Sequence, residues 1–143
     1  MRLSHAFRTS MSSLLRCISR TVRVGQPVIL TAGVTDDGLL KPYELPSRPT
    51  GVTTTAARGL LVAWFVYRGA GNVVFEPEQF QVWEDRRVGS NSPWAPGWKI
   101  PPPPADGKWV VLVRFSKSGT YVLRCLAHDG GLPTHKDITF VVE

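Results

Sequence analysis

Aspartates in two turns are the residues of this chain best suited to bind a metal ion. Asp36, Asp37 and Asp129 lie in Asp-Gly turns, with Asp137 a short distance further on, and a calcium ion takes about six to eight such oxygens. The same dipeptides form turns in which the aspartate bonds its own backbone. Because the chain has no contiguous calcium-binding loop, we predict turns here, with calcium as the alternative and no other metal or cofactor.

The three histidines are candidates for proton transfer or metal binding. His5, His128 and His135 have no shared spacing and no third ligand at a recognisable distance. Ser116 and Ser118 precede a turn glycine and lack the strand-to-helix elbow of a hydrolase nucleophile. The sequence therefore predicts no catalytic residues and a protein that is not an enzyme.

Tryptophans in a proline-rich stretch are candidates for binding. Exposed rings there suit sugar stacking or a protein contact, while the alternative is that they cover the neighbouring prolines and one end of the fold. The predicted binding residues are Trp83, Trp94, Trp98, Asn91, Arg86 and Arg87.

Two cysteines, Cys17 and Cys125, have no CxxC or histidine-rich surroundings, so the sequence gives no support for a zinc site. Cys125 falls on a predicted inward face, which favours a small buried side chain. Whether the two cysteines pair depends on the position of the N-terminal segment.

The positive charge of the chain is concentrated at its N-terminus. The net charge is +6, and five arginines precede the first acidic residue, leaving 12 basic against 11 acidic residues in the rest. We therefore expect no nucleic-acid-binding face on the folded domain. The sequence divides into a basic arm, residues 1–24, and one domain, residues 25–143. The arm arginines are Arg2, Arg8, Arg16, Arg20 and Arg23.

The arm also has apolar residues at helical spacing, which predicts an amphipathic helix. Three interpretations stay open: an organellar-type presequence, a helix for a partner or membrane surface, or an extension preceding the domain. A secretory signal is not predicted, because arginines and serines interrupt its apolar stretch. The apolar residues are Leu3, Phe7, Met11, Leu14, Leu15 and Ile18.

The domain shows the period-two alternation and turn-residue clusters of an all-β protein. We expect about seven strands. They are predicted over Pro27–Thr35, Leu60–Arg68, Val73–Phe75, Gln79–Glu84, Trp109–Phe115, Thr120–His128 and Lys136–Val142.

Two long loops separate these strands, over Leu39–Gly59 and Arg86–Lys108, because their prolines and glycines do not fit a central strand. Pro101–Pro104 should form a stiff polyproline II rod. No apolar run approaches the roughly 18 to 20 residues of a membrane-spanning helix.

Two stretches resemble the PKD-type, immunoglobulin-like domains of bacterial extracytoplasmic proteins. The first runs from Val24-Gly25-Gln26-Pro27-Val28 through Leu30-Thr31-Ala32 to Asp36-Asp37-Gly38. The second runs from Phe115-Ser116-Lys117-Ser118-Gly119-Thr120-Tyr121-Val122-Leu123-Arg124 to Ala127-His128-Asp129-Gly130, and Lys136–Val142 resembles the last strand of that family. The resemblance implies an antiparallel, immunoglobulin-like β-sandwich in a periplasmic or cell-envelope setting.

The resemblance also implies structural roles for three residues. Trp64 takes the place of the central strand tryptophan, and Gly119-Thr120-Tyr121 has the form of a tyrosine corner. The chain departs from immunoglobulin domains at Leu123, where a disulfide cysteine would stand, so packing alone must hold the core.

The resulting functional prediction is a structural or protein-interaction module. It would be an accessory subunit of a larger envelope or membrane assembly, with peripheral membrane association through the arm. The alternative is a carbohydrate-binding or adhesion module that uses exposed tryptophans.

Overall fold

The computed structural model describes residues 19–36, 38, 41, 43, 59–79, 101–130 and 133–143. These ranges contain seven β-strands in two sheets and no helix, which confirms the all-β prediction. Six of the strands were predicted, and the first was not. The strands are β1 (Arg20–Val22), β2 (Val28–Gly33), β3 (Leu61–Arg68), β4 (Val73–Glu76), β5 (Lys108–Phe115), β6 (Gly119–His128) and β7 (Thr134–Val142).

Four strands form one sheet in the order β1-β7-β6-β3, and three form the other in the order β2-β5-β4. All neighbouring strands are antiparallel except β1, which runs parallel to β7. The predicted antiparallel strand pairs are found, and the parallel pairing of β1 with β7 at the edge was not predicted. β1 and β7 run in the same direction, and both end where the chain leaves β1 for β2. At that point Val24 N donates to Glu143 O at 2.9 Å.

The first strand also moves the start of the folded domain. Arg20–Val22 was predicted to lie in the arm, but it pairs in register with Phe140–Val142, and Val22 packs against the core. The sheet therefore begins about five residues before Gly25.

The core lies between the two sheets and contains the inward side chains of both. Trp64, Phe115, Tyr121 and Phe140 are its large rings, each at most 2% exposed. Two ring pairs tie the sheets together, because the Phe115 centroid lies 4.9 Å from that of Tyr121 and 5.2 Å from that of Phe140. The side chains predicted to face inward on the last three strands lie in this core, with Trp109 partly buried at its margin. They are Trp109, Val111, Val113 and Phe115 of β5, Tyr121, Leu123, Cys125 and Ala127 of β6, and Ile138, Phe140 and Val142 of β7.

Several predicted features fall outside the described residues. They are the strand after Gln79, most of both long loops, and residues 1–18 of the arm. Within the described ranges, no helix has the length and apolar character to cross a membrane.

Candidate functional site

The clearest surface feature is the outward side of the three-stranded sheet, which we call the outer face. Alternation along β2, β4 and β5 sends every second side chain outward. Ile29 is 65% exposed, Val110 55% and Val74 52%. The outer face consists of Ile29, Thr31, Val74, Glu76, Lys108, Val110, Leu112 and Arg114.

The register places the apolar side chains of the outer face side by side. Ile29 lies opposite Leu112, and Thr31 lies opposite Val110, so apolar side chains adjoin across β2 and β5. Across β5 and β4, the opposite pairs are Val74 with Arg114 and Glu76 with Leu112. Cross-strand neighbours have Cβ atoms about 4.5–5.5 Å apart, so their side chains are within contact range. The result is an apolar patch on β2 and β5.

Charged residues border this patch. Arg114 Nη1 lies 2.6 Å from Glu76 Oε1, and both side chains are well exposed. Such a surface pair contributes about 0 to 1 kcal/mol to stability, so its main effect is to hold the Arg114 side chain in place. Lys108 lies at the opposite end of β5, where it is exposed.

The four-stranded sheet has a different outward surface, built around Arg124. Its guanidinium donates to both carboxylate oxygens of Asp137, at 2.7 and 2.8 Å, and its Cζ lies 3.7 Å from the ring centroid of Tyr67. The hydrogen bonds from Arg124 lower the pKa of Asp137 below its ordinary value, and His135 and Arg68 act in the same direction. Arg124 is therefore fixed by two partners.

The candidate calcium residues are only partly brought together. Asp36 and Asp129 line one small recess with His128, whereas Asp137 binds Arg124 on the other side of its sheet. Asp37 lies outside the described residues. The described part of the chain holds no group of three or more His, Cys, Asp or Glu side chains placed to bind a metal ion. Calcium binding stays the alternative to the predicted turns.

Ser116, considered as a nucleophile, has a structural contact. Its Oγ donates to the carbonyl oxygen of Asn72 at 2.7 Å, which joins the end of β5 to the chain before β4. Ser118 lies in the exposed turn before β6. His135 lies in β7 opposite Leu126, whereas His128 lies at the end of β6.

Tyr121 makes the hydrogen bond expected of a tyrosine corner. Its Oη donates to the carbonyl oxygen of Lys117 at 2.8 Å, and the side chain is 1% exposed. Gly119 has a φ of +141° in the turn between them. Gly69 and Gly71 approach the ring so closely that a Cβ on either would collide with Tyr121.

Cys125 and Trp64 are both interior residues. Cys125 is fully buried, and burial raises the pKa of its thiol to about 12, so the thiolate that reacts with electrophiles is scarce at neutral pH. Trp64 is 2% exposed, and its Nε1 has no hydrogen-bond partner among the described residues. Both side chains serve packing.

A groove of about 570 Å³ runs between the edge strands β3 and β4. Trp64, Phe65 and Phe75 line it, and the backbone N–H of Trp64 donates to Gln79 Oε1 at 3.0 Å. A separation of fifteen residues has no pattern in the sequence that predicts this contact. Gln79, which lines the groove, is the last described residue before the gap at residues 80–100.

The other predicted site residues fall outside the described ranges. They are the binding residues Trp83, Trp94, Trp98, Asn91, Arg86 and Arg87, the arm residues Arg2, Arg8 and Arg16, and Cys17. Arg20 and Arg23 are described and exposed at the edge of the four-stranded sheet. Trp109, the other described tryptophan, packs against the core.

Comparison with known proteins gives no family for this chain. No family model matches it, and no curated protein matches it significantly. Among solved structures, it is similar to a conjugative transposon lipoprotein from Bacteroides eggerthii DSM 20697, with 10% sequence identity, a TM-score of 0.47, and coverage of 85% of this chain and 88% of that one. This degree of likeness is too low to carry a function across.

Proposed function

We propose that this chain is a non-catalytic protein-interaction module, an accessory subunit that docks onto a larger assembly through the outer face. One observation carries the proposal: Ile29 and Val110 are exposed on neighbouring strands beside Leu112, and Val74 is exposed on the same face of the sheet. Exposed apolar area costs about 25 cal/mol per Å² in water, and contiguous apolar patches mark interaction sites.

The outer face is too small to hold a homodimer together by itself. Its size favours a role as one of several contacts in a larger assembly. The pairing of β2 with β5 is six residues long. At about 3.3 Å per residue and about 4.8 Å per strand, three strands present roughly 300 Å². A stable interface takes about 800 Å² from each partner. A small subunit held at several points of a larger assembly meets that requirement.

The borders of the patch define the chemistry of its partner. A complementary surface presents apolar side chains over Ile29 and Val110 and an acidic group facing Lys108. Since Arg114 already pairs with Glu76, Lys108 is the basic residue of the outer face best placed to pair with an acidic group of the partner.

We further infer that the sandwich is of the immunoglobulin-like, PKD type. Its β2-β5-β4 and β7-β6-β3 orders correspond to the B-E-D and G-F-C orders of immunoglobulin domains. The Tyr121 hydrogen bond to Lys117 supports the same assignment. Under this proposal the setting is the cell envelope, and the arm supplies a peripheral membrane contact.

The test is recovery of the assembly by tagged full-length protein from its native extract. Val110→Lys should abolish stoichiometric recovery, because a lysine then projects from the centre of the patch. Thr21→Lys is the matched control, since it adds the same charge at an exposed β-branched residue of the other sheet. A third variant lacks residues 1–18 and keeps β1.

Two outcomes would reject the proposal. One is that the native chain recovers no partner, and the other is that Val110→Lys and Thr21→Lys recover it equally. Loss with the shortened arm alone would assign docking to the arm. A shift of tryptophan fluorescence on adding polysaccharides would favour the carbohydrate-binding alternative.

A further inference from the structure

Four consecutive prolines lead into β5 and remain on the surface. Pro101, Pro102 and Pro103 are exposed, and Pro104 is half-buried. A proline ring fixes its own φ near −65°, and each proline pushes the residue before it out of the helical region. Three of these four residues are subject to both restrictions, so the segment has the polyproline II conformation as its default.

The C-terminal end of this rod is anchored to the sandwich. Gly107 N donates to the carbonyl oxygen of Pro104 at 2.9 Å, and Val34 N donates to the carbonyl oxygen of Gly107 at 3.2 Å. Asp106 Oδ1 accepts from Lys108 N at 3.1 Å. These bonds tie the rod to the end of β2 and the start of β5, and they leave its proline rings exposed.

We propose that Pro101–Pro104 is a ligand for a partner protein whose groove is lined by aromatic rings. Proline rings pack flat on aromatic rings, and a proline run has no N–H of its own, so its carbonyl oxygens accept from groove donors such as an indole N–H. The rod is formed before binding, which reduces the entropy lost on association.

The inference builds on the proposed function by naming a second contact. The rod runs into Lys108 through the anchored turn, and Lys108 forms one end of the outer face. A partner that holds the rod therefore also lies beside the outer face, which supplies part of the contact area that the patch lacks.

The test is a titration of the full-length, isotope-labelled chain with a purified EVH1-type domain, which reads polyproline II segments through an aromatic groove. We expect saturable shifts of the Ala105, Gly107 and Lys108 amides. The double variant Pro102→Ser, Pro103→Ser should bind at least about tenfold more weakly. The amide shifts of its strands should match those of the native chain, because the rod lies outside the strands.

Thr21→Lys is the second comparison, and it should bind the EVH1-type domain like the native chain, because Thr21 lies in the other sheet. The titration uses a purified domain and not the native assembly, so its result is independent of the recovery experiment with Val110→Lys. The inference is overturned if the folded chain does not bind the domain, or if the double variant binds equally well. A synthetic peptide of residues 99–106 that binds where the folded chain does not would show that the rod is inaccessible.

Discussion

The contact between Gly71 and the Tyr121 hydroxyl predicts that two substitutions will compensate each other. A Cβ at position 71 would collide with Tyr121 Oη, while its next neighbours, Lys117 Cβ and Tyr121 Cζ, would lie at 3.1 and 3.3 Å. Gly71→Ala must therefore displace the hydroxyl that donates to the Lys117 carbonyl oxygen. In Tyr121→Phe the colliding atom is gone.

The magnitudes follow from these contacts. Tyr121→Phe loses one hydrogen bond and should lower the free energy of unfolding by about 1 kcal/mol. Gly71→Ala in the native chain adds an overpacking cost to the same loss, for a total of about 2–3 kcal/mol. In the Phe background only tight carbon contacts remain, so Gly71→Ala should cost about 1 kcal/mol or less, and the coupling should be about 1–2 kcal/mol.

The assay is urea unfolding of the four full-length proteins of this cycle at 25 °C. Gly69→Ala is the matched control, because its Cβ would collide with ring carbons of Tyr121 that phenylalanine retains, including Cε1 at 2.9 Å. Tyr121→Phe should therefore rescue Gly71→Ala and leave Gly69→Ala equally destabilised. Equal costs of Gly71→Ala in the two backgrounds would refute the role assigned to the hydroxyl.

Three further predictions concern single side chains. Because Arg124 lowers the pKa of Asp137, the ion pair stabilises the fold above the unfolded-state pKa of about 3.9, and this stabilisation is lost as the pH falls through the lower folded-state pKa. Asp137→Asn should therefore be less stable than the native chain at pH 7 and equal to it near about pH 2. A difference in the free energy of unfolding that does not change with pH would contradict this. In a Cys17→Ser chain, the Cys125 thiol, with its pKa raised to about 12 by burial, should resist iodoacetamide at pH 8 until urea unfolds the protein, and fast labelling of the folded chain would show otherwise. Gly107 has a φ of +66°, so Gly107→Ala should lower the free energy of unfolding by about 1 kcal/mol. Gly33→Ala should not, because there is open space for a Cβ at that position. Equal effects of the two substitutions in urea unfolding would contradict the role of the positive φ at Gly107.

The alternation of side chains made the core predictable from the sequence. In β6, Tyr121, Leu123 and Cys125 recur every second residue, and all are buried. Such a pattern needs several residues to be recognised. Arg20–Val22 is only three residues long, and its parallel place beside β7 depends on contacts with the far end of the chain, including the bond from Val24 N to Glu143 O. Local patterns contain no information about such a contact.

The same limit explains why the outer face was not predicted. Trp109–Val113 is apolar at every position, so the alternation that placed Val111 in the core gave no sign that the outward Val110 would stay exposed. Sheet order decides the question, because Val111 faces the other sheet and is 2% exposed, while Val110 faces outward and is 55% exposed. In a two-layer fold, an apolar strand therefore has one series of side chains in the core and an alternate series on the surface. The surface series is the one available to a partner, and for this reason the functional proposal depends on the strand order as much as on the residue types.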